Sequence, residues 1–427
     1  MRWSASRTWF VFLLIPAAII AYLPALNLPF ISDDFPQIAK AREFAARHWI
    51  PLWNDKGLAA RPTYVFLTAA MDHAFGFTPR PFYIVSILLH VACTLLVYAG
   101  ARVCGLDWRG AFAAAFFFAI YEGHQEAVMW LAASSDLLVF LFGVAAWICW
   151  MKWLRNSGVV WYGLAITAFV VALASKESAW ITPMLMLLGV LVARVERRRW
   201  IAGIAPFVLL AGAYIVLMWI WRVTQPGYKD IRFTVSAAWP LVTLYSLWRL
   251  NFLWGLVAGA VLVWLGTRGV ARVVQLATLW MVLAILPYSF ITYMSRVPSR
   301  HTYLASAGLA FLFGVAALRL YDEKRRTVLV LVSVAAIAVN VETLWVKKMQ
   351  QFRQRAEPSE RLKQVATQAA GPITVYCTPL GAYTGGYVLR DSGAQGIFPS
   401  DTMDDHCFRL EYTDRTGRLV KLNERLP

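Results

Sequence analysis

Residues 108–154 read WRGAFAAAFFFAIYEGHQEAVMWLAASSDLLVFLFGVAAWICWMKWL. Two apolar runs, 108–121 and 135–154, enclose a short polar stretch carrying Glu122, His124, Glu126 and Asp136. Runs this apolar suit a lipid bilayer, where a helix satisfies its own backbone groups, and ionisable residues between them are costly and mark function. Working outward, comparable runs fall at 9–27, 82–101, 159–175, 179–195, 201–221, 251–267, 273–292, 302–320 and 327–346. The expectation is an all-α polytopic membrane protein with about 11 transmembrane helices.

Composition agrees. Of 427 residues, 59% are hydrophobic and 15% charged, with a mean hydropathy of +0.55. That excludes a soluble enzyme, a disordered chain, a disulfide-stapled secreted module and a tail-anchored protein. A net charge of +17 would suit nucleic acid, but the basic residues sit between the apolar runs. Arg2, Arg7, Arg102, Arg109, Lys152, Arg155, Arg194, Arg197, Arg198, Arg199, Arg268, Arg272, Arg319, Lys324, Arg325 and Arg326 all fall on the inner side if the N-terminus is cytoplasmic. This is the positive-inside pattern of a plasma membrane or bacterial inner membrane, with no nucleic-acid partner and the C-terminal region outside. Arg2 and Arg7 before an apolar run resemble a signal peptide, but no small-x-small cleavage site follows, so the run reads as a retained first helix.

The first outer loop, 28–77, is too long to be a simple connection. Its stretch 62–76 reads as a helix lying at the membrane surface, and 222–250 as a second interfacial segment. From Lys347 the apolar periodicity stops, dividing the chain into a membrane domain, 1–346, and a small soluble α/β domain, 347–427. The latter should contain a helix at 357–370 and strands at Ile373–Tyr376 and Tyr387–Leu389. Cys377 and Cys407 lie there and pair only if the compartment is oxidising; Cys93, Cys104 and Cys149 read as inert thiols.

Candidate chemistry gathers on the outer face. Asp33-Asp34 follows the first run; adjacent acids repel, which raises one pKa, and a carboxylate at a low-dielectric boundary can serve as general base, while an acidic turn or helix N-cap is the plain alternative. Glu122, His124 and Glu126 could bind a divalent metal, position a substrate or bond one another. Ser134, Ser135 and Asp136 could simply cap a helix. Lys176-Glu177, Arg296, Arg300 and His301 suit a lipid phosphate or ordinary interfacial ion pairs. Trp49 and Trp53 suit a sugar ring or an aromatic belt. No phosphate-cradling glycine loop is present, so the sequence offers no support for direct use of ATP or a nicotinamide cofactor.

In order along the chain, these residues resemble the GT-C superfamily of integral-membrane glycosyltransferases, particularly the TMTC-type O-mannosyltransferases and their bacterial relatives. Asp33-Asp34 resembles the family's acidic motif, Arg61-Pro62-Thr63 with Asp72 its surface helix, and Ile87-Leu88-Leu89-His90 its Leu-Leu-His. His124-Gln125-Glu126-Ala127-Val128-Met129-Trp130, followed by Ser135-Asp136-Leu137-Leu138, is the most specific segment. Lys176-Glu177 and Arg300-His301-Thr302-Tyr303-Leu304 resemble later landmarks. Tyr121-Glu122 replaces the family's His-Pro, and a short tail stands where the eukaryotic branch carries tetratricopeptide repeats.

The resemblance implies transfer of a sugar from a polyprenyl-phosphate donor to a hydroxyl of a glycan, lipid or protein on the extracytoplasmic face, usually with inversion. It implies Asp33 as base and Asp34 as its partner. Arg61, Lys176, Arg296 and Arg300 would hold the donor phosphate. His124, Glu126, Asp136, Glu177 and His301 would position sugar or acceptor. A divalent metal is compatible with the chemistry but not required. A lipid or glycan transporter would show internal repeats and mid-membrane polar groups, and an assembly subunit would depend on its tail rather than on Asp33.

Overall fold

The structure is a computed structural model and describes residues 9–48, 61–155, 158–193, 195–224, 238–289, 297–400 and 403–425. The helices are α1 (Leu14–Tyr22), α2 (Asp34–Ala46), α3 (Pro62–Phe75), α4 (Pro79–Val103), α5 (Trp108–Ile120), α6 (Gln125–Met129), α7 (Ser134–Leu154), α8 (Val159–Leu173) and α9 (Thr182–Ala193). They continue as α10 (Arg197–Thr224), α11 (Trp239–Asn251), α12 (Trp254–Leu265), α13 (Ala271–Ser289), α14 (Ser306–Asp322), α15 (Arg326–Glu342), α16 (Met349–Gln368) and α17 (Gly381–Asp391).

Within the described residues each apolar run expected to span is helical, but several of these helices are short. Among the described residues six helices are long and apolar enough to cross a membrane, or seven if α11 and α12, bent by 78° at their junction, make one span. Trp108–Ile120, Val159–Leu173 and Glu177–Ala193 are apolar but shorter, and a 13-residue helix rises only about 20 Å. Large side chains such as Phe12, Val160, Leu209, Val263 and Leu331 stay exposed on the bundle, a surface that suits lipid rather than water. The chain is an integral membrane protein.

Helix α14 runs through the centre, with nearly every residue buried. Its small residues permit this. A Cβ on Gly308 would meet the Ala277 carbonyl oxygen of α13, and one on Gly314 the Gly110 carbonyl oxygen of α5, so backbones meet directly as in other small-residue membrane contacts. The turn entering α14 carries Arg300 and His301 and is therefore held at a rigid point of the bundle.

α15 passes without a break through a π-helical turn, Thr343–Lys348, into α16. Beyond it lie β1 (Ile373–Cys377), β2 (Gly396–Ile397), β3 (Cys407–Thr413) and β4 (Leu419–Arg425), in the order β2-β1-β3-β4. β1 pairs parallel with β2 and antiparallel with β3, and β3 antiparallel with β4. Cys377 and Cys407 form a disulfide with Cα atoms 5.9 Å apart. Residues 387–389, expected as a strand, lie in α17 instead. Gly381, Thr384, Gly385, Val388 and Leu389 are buried at helical spacing, and the small residues in that stripe hide its period from a hydrophobicity reading.

The C-terminal unit packs onto residues of the segment between α1 and α4. Phe30, Phe35, Ile38 and Met71 share one core with Leu362, Ile373, Leu380, Leu389, Phe408 and Leu410. Arg42 of α2 makes a bidentate bond to Asp72 of α3 (2.8 and 2.7 Å) and lies 3.8 Å from Asp391 of α17.

Candidate active site

The chain leaves α1 and turns at Ile31–Asp34. Ser32 has a φ of +41°, which costs a side-chain-bearing residue energy and persists only where the surroundings fix it. Asp34 does the fixing. Its Oδ2 accepts from the Ile31 N–H at 2.9 Å, its own N–H donates to the Ile31 carbonyl at 2.9 Å, and its Oδ1 accepts from the Ala132 N–H at 2.8 Å. Asp34 is fully buried, and burial pushes its carboxyl up to about 7, against the pull of the two N–H groups and with Asp33 adding to the rise.

Asp33 is the opposite case. It occupies the N-cap position of α2, yet its side chain makes no capping bond, and it is exposed. Partial loss of hydration raises its pKa above the ordinary value, against the attraction of Arg300 and Arg355. The adjacent acids thus divide, one committed to the backbone and one left open.

Beside them is a cavity of about 800 Å³, lined by Ser32, Gln125, Glu126, Phe352, Arg355 and Leu380 among others. Glu126 organises its charged wall. Oε2 accepts from the Arg300 backbone N–H at 3.1 Å and lies 3.8 Å from the Arg300 guanidinium, while Oε1 is 3.4 Å from that of Arg355. Burial opposes ionisation of Glu126, but bonds from Ser299 and the Arg300 N–H and the attraction of both arginines leave its pKa lowered. Both guanidinium groups lie over the Trp130 ring, at 5.0 Å for Arg300 and 4.6 Å for Arg355, within cation–π range.

The second cluster is closed. Lys176 Nζ reaches both oxygens of Asp136 at 2.8 and 2.7 Å in a fully buried pair, and Tyr288 donates to Asp136 at 3.3 Å. Arg61 makes a bidentate bond to Glu177 at 2.9 and 2.7 Å. His301 stacks on Tyr288 at 4.1 Å and lies 3.8 Å from Asp136. Burial, then the Lys176 charge, lowers its pKa to about 4 even with Asp136 opposing, so it is neutral at pH 7. Asp136 is an ion-pair partner and not a helix cap, and α7 has no side-chain cap at all.

The structure therefore brings together Asp33, Asp34, Glu126 and Arg300, and separately Arg61, Lys176, Asp136, Glu177 and His301. It does not bring His124 to the cavity. That ring is buried, with Nε2 2.6 Å from Ser306 Oγ and its faces against Phe118, Tyr303 and His90. His90 is likewise a core residue, bonded to Tyr303 and the Ala119 carbonyl.

Glu122, His124 and Glu126 are not a ligand set here. Glu122 faces Lys348 at 3.7 Å, His124 faces Ser306, and Glu126 faces the arginines. Among the described residues no group of three or more His, Cys, Asp or Glu side chains could hold a metal. Arg296, Trp49 and Trp53 lie outside the described residues.

Two residues of the site escape a sequence reading. Arg355 arrives from the C-terminal helix α16, far along the chain. Tyr64 of α3 is buried with its hydroxyl unpartnered, within electrostatic reach of Asp33, Asp34 and Arg61; the only local signal was its place just after Arg61-Pro62.

The bundle, first-loop turn and C-terminal domain share their fold with solved proteins. The likeness to ArnT from Cupriavidus metallidurans in the apo state has a TM-score of 0.59 at 15% identity, over 94% of this chain and 90% of that one. The same protein bound to undecaprenyl phosphate gives 0.53 at 14%, over 92% and 86%. The archaeal oligosaccharyltransferase AglB from Archaeoglobus fulgidus, in complex with an inhibitory peptide and a dolichol-phosphate, gives 0.52 at 12%, over 86% of this chain and 59% of that one.

By sequence, a 183-residue match covering 40% of this chain is 30% identical to protein O-mannosyl-transferase Tmtc1 of Drosophila melanogaster. A second match, 26% identical over 194 residues and 38% of this chain, is to protein O-mannosyl-transferase TMTC4 of Homo sapiens. The chain spans 21% and 26% of the length of these two relatives. No protein-family model matches.

Proposed function

We propose that this protein is a glycosyltransferase that moves a sugar from a polyprenyl phosphate to a hydroxyl of a glycan, lipid or protein, with inversion, on the extracytoplasmic side of the membrane. Residues 1–346 form its membrane-embedded transferase unit and 347–427 its outer domain. The observation that carries the reading is the divided acidic pair: Asp34 holds the turn, and Asp33, free of capping duty, follows the cavity-lining Ser32 within electrostatic reach of Arg300 and Arg355. The fold, the O-mannosyl-transferase relatives and the structural neighbours bound to undecaprenyl phosphate and a dolichol-phosphate support it. The disulfide in the C-terminal domain favours an oxidising compartment for that domain.

In the step itself Asp33 accepts the acceptor's hydroxyl proton as its oxygen attacks the anomeric carbon. The bond from that carbon to the phosphate oxygen breaks, and polyprenyl phosphate leaves with the electron pair. Cations stabilise the leaving charge, a positioning and electrostatic task. Arg300, 3.8 Å from the cavity-lining Glu126, is placed for it, while Arg61 and Lys176 are each already held by a carboxylate. His301 is neutral and can only donate or accept a hydrogen bond there.

The test is release of free polyprenyl phosphate by purified protein from a panel of polyprenyl-phosphate sugars, with envelope extract as acceptor. One donor should be turned over, with an acid limb in its pH profile above the ordinary carboxylate range because Asp33 must be ionised to act. Binding of no lipid phosphate and turnover of no donor would refute the reading.

A further inference from the structure

The closed cluster offers an anion little. Arg61 and Lys176 each face a carboxylate of their own through two short bonds. At the open cluster two guanidinium groups share the single carboxylate of Glu126, at 3.8 and 3.4 Å. The Trp130 indole, over which both groups lie, is largely buried. Two arginines on one ion-paired carboxylate, with Arg355 and Glu126 lining an 800 Å³ cavity, make an anion site, since charge-assisted bonds to phosphate are the strong ones.

One arginine comes from outside the membrane bundle. α16 reaches the site through the π-turn Thr343–Lys348, where Trp345 donates to the Ile20 and Ala21 carbonyls at 3.2 Å and Lys348 lies 3.7 Å from Glu122. A π-turn inserts a residue and so re-phases everything after it. Here Phe352 and Ala356 face the core, and Arg355 faces Trp130.

We propose that Arg355 binds the phosphate of the lipid donor together with Arg300, so that the helix leading to the outer domain completes the donor site. This rests on the reading of the protein as a polyprenyl-phosphate transferase. Phosphate oxygens take bonds from the guanidinium of Arg355, and Glu126 keeps the two arginines in place when the site is empty of lipid.

The experiment measures undecaprenyl phosphate binding to the full chain in detergent by native mass spectrometry, for wild type, Arg355→Ala, Arg355→Lys and Arg353→Ala. Arg353 is exposed on the same helix and controls for loss of charge alone. Wild type and Arg353→Ala should bind alike. Arg355→Ala should bind about 10- to 100-fold more weakly, and Arg355→Lys in between, because an ammonium keeps the charge but not the planar fork. Melting temperatures report whether each variant is folded. Equal binding by folded Arg355→Ala and wild type, or an equal loss in Arg353→Ala, would overturn the assignment and leave the transferase reading standing. No binding by wild type would overturn both.

Discussion

Two charged clusters lie side by side and differ in one respect. Around Asp136 and Glu177 every cation has its own anion at hydrogen-bond distance. Around Glu126 two cations share one anion, and the Asp33 side chain makes no capping bond. Paired charges hold helices in register; undercompensated ones are available to a ligand. The same division runs through the adjacent acids Asp33 and Asp34, so residue type alone does not separate scaffold from chemistry.

The sharpest way to break this distinction is to remove one member of a closed pair. Lys176→Ala should destabilise the protein by about 3–5 kcal/mol, because Asp136 is left as an uncompensated buried charge. The melting temperature in detergent should fall steeply, and the double variant Lys176→Met/Asp136→Leu should recover much of it. A small effect of the single change would mean that the pair is not structural.

Asp34→Ala comes next, leaving the buried N–H groups of Ile31 and Ala132 unsatisfied at about 1–3 kcal/mol each. Its pH dependence gives a second readout. Asp34 has a folded pKa of about 7 against 3.8 for the free group, so folding favours its protonated form. Stability tied to it is complete below about pH 4 and is lost as pH rises towards 7. Melting of the wild type across that window should show this slope, and Asp34→Ala should lack it.

The smallest effect is expected at Arg42. Its pair with Asp72 is bidentate, but the arginine side chain is 46% exposed. Arg42→Ala should cost no more than about 1 kcal/mol. A much larger loss of melting temperature would show that docking of α17 on α2 governs the stability of the whole outer face.

Much of the fold was legible because its signal is local. Apolar runs bounded by charge mark helices wherever they occur, and the outer clusters appeared as acids and cations crowded between such runs. Span counting was less secure, since helices such as Trp108–Ile120 are too short to be judged by length. Asp33-Asp34 could be found in the sequence, but the division of labour between them depends on Ala132, nearly a hundred residues away.

His124 misled because an ionisable residue in apolar surroundings reads as functional, whereas Ser306 and a shell of aromatic rings give it a place in the core. Arg355 was invisible for the converse reason. It sits in a helix of ordinary polar composition, and only the π-turn and the packing of the outer domain bring it to Trp130.

The central claim is that Asp33 does the chemistry and Asp34 holds the frame. Single-turnover transfer and melting temperature should be measured together for Asp33→Asn and Asp34→Asn with the same polyprenyl-phosphate donor. The account predicts that Asp33→Asn melts like wild type but transfers about 10²- to 10⁴-fold more slowly, the range for loss of a general base, while Asp34→Asn lowers the melting temperature. Near-normal transfer by Asp33→Asn, with the rate instead lost in an Asp34→Asn protein of unchanged melting temperature, would contradict it.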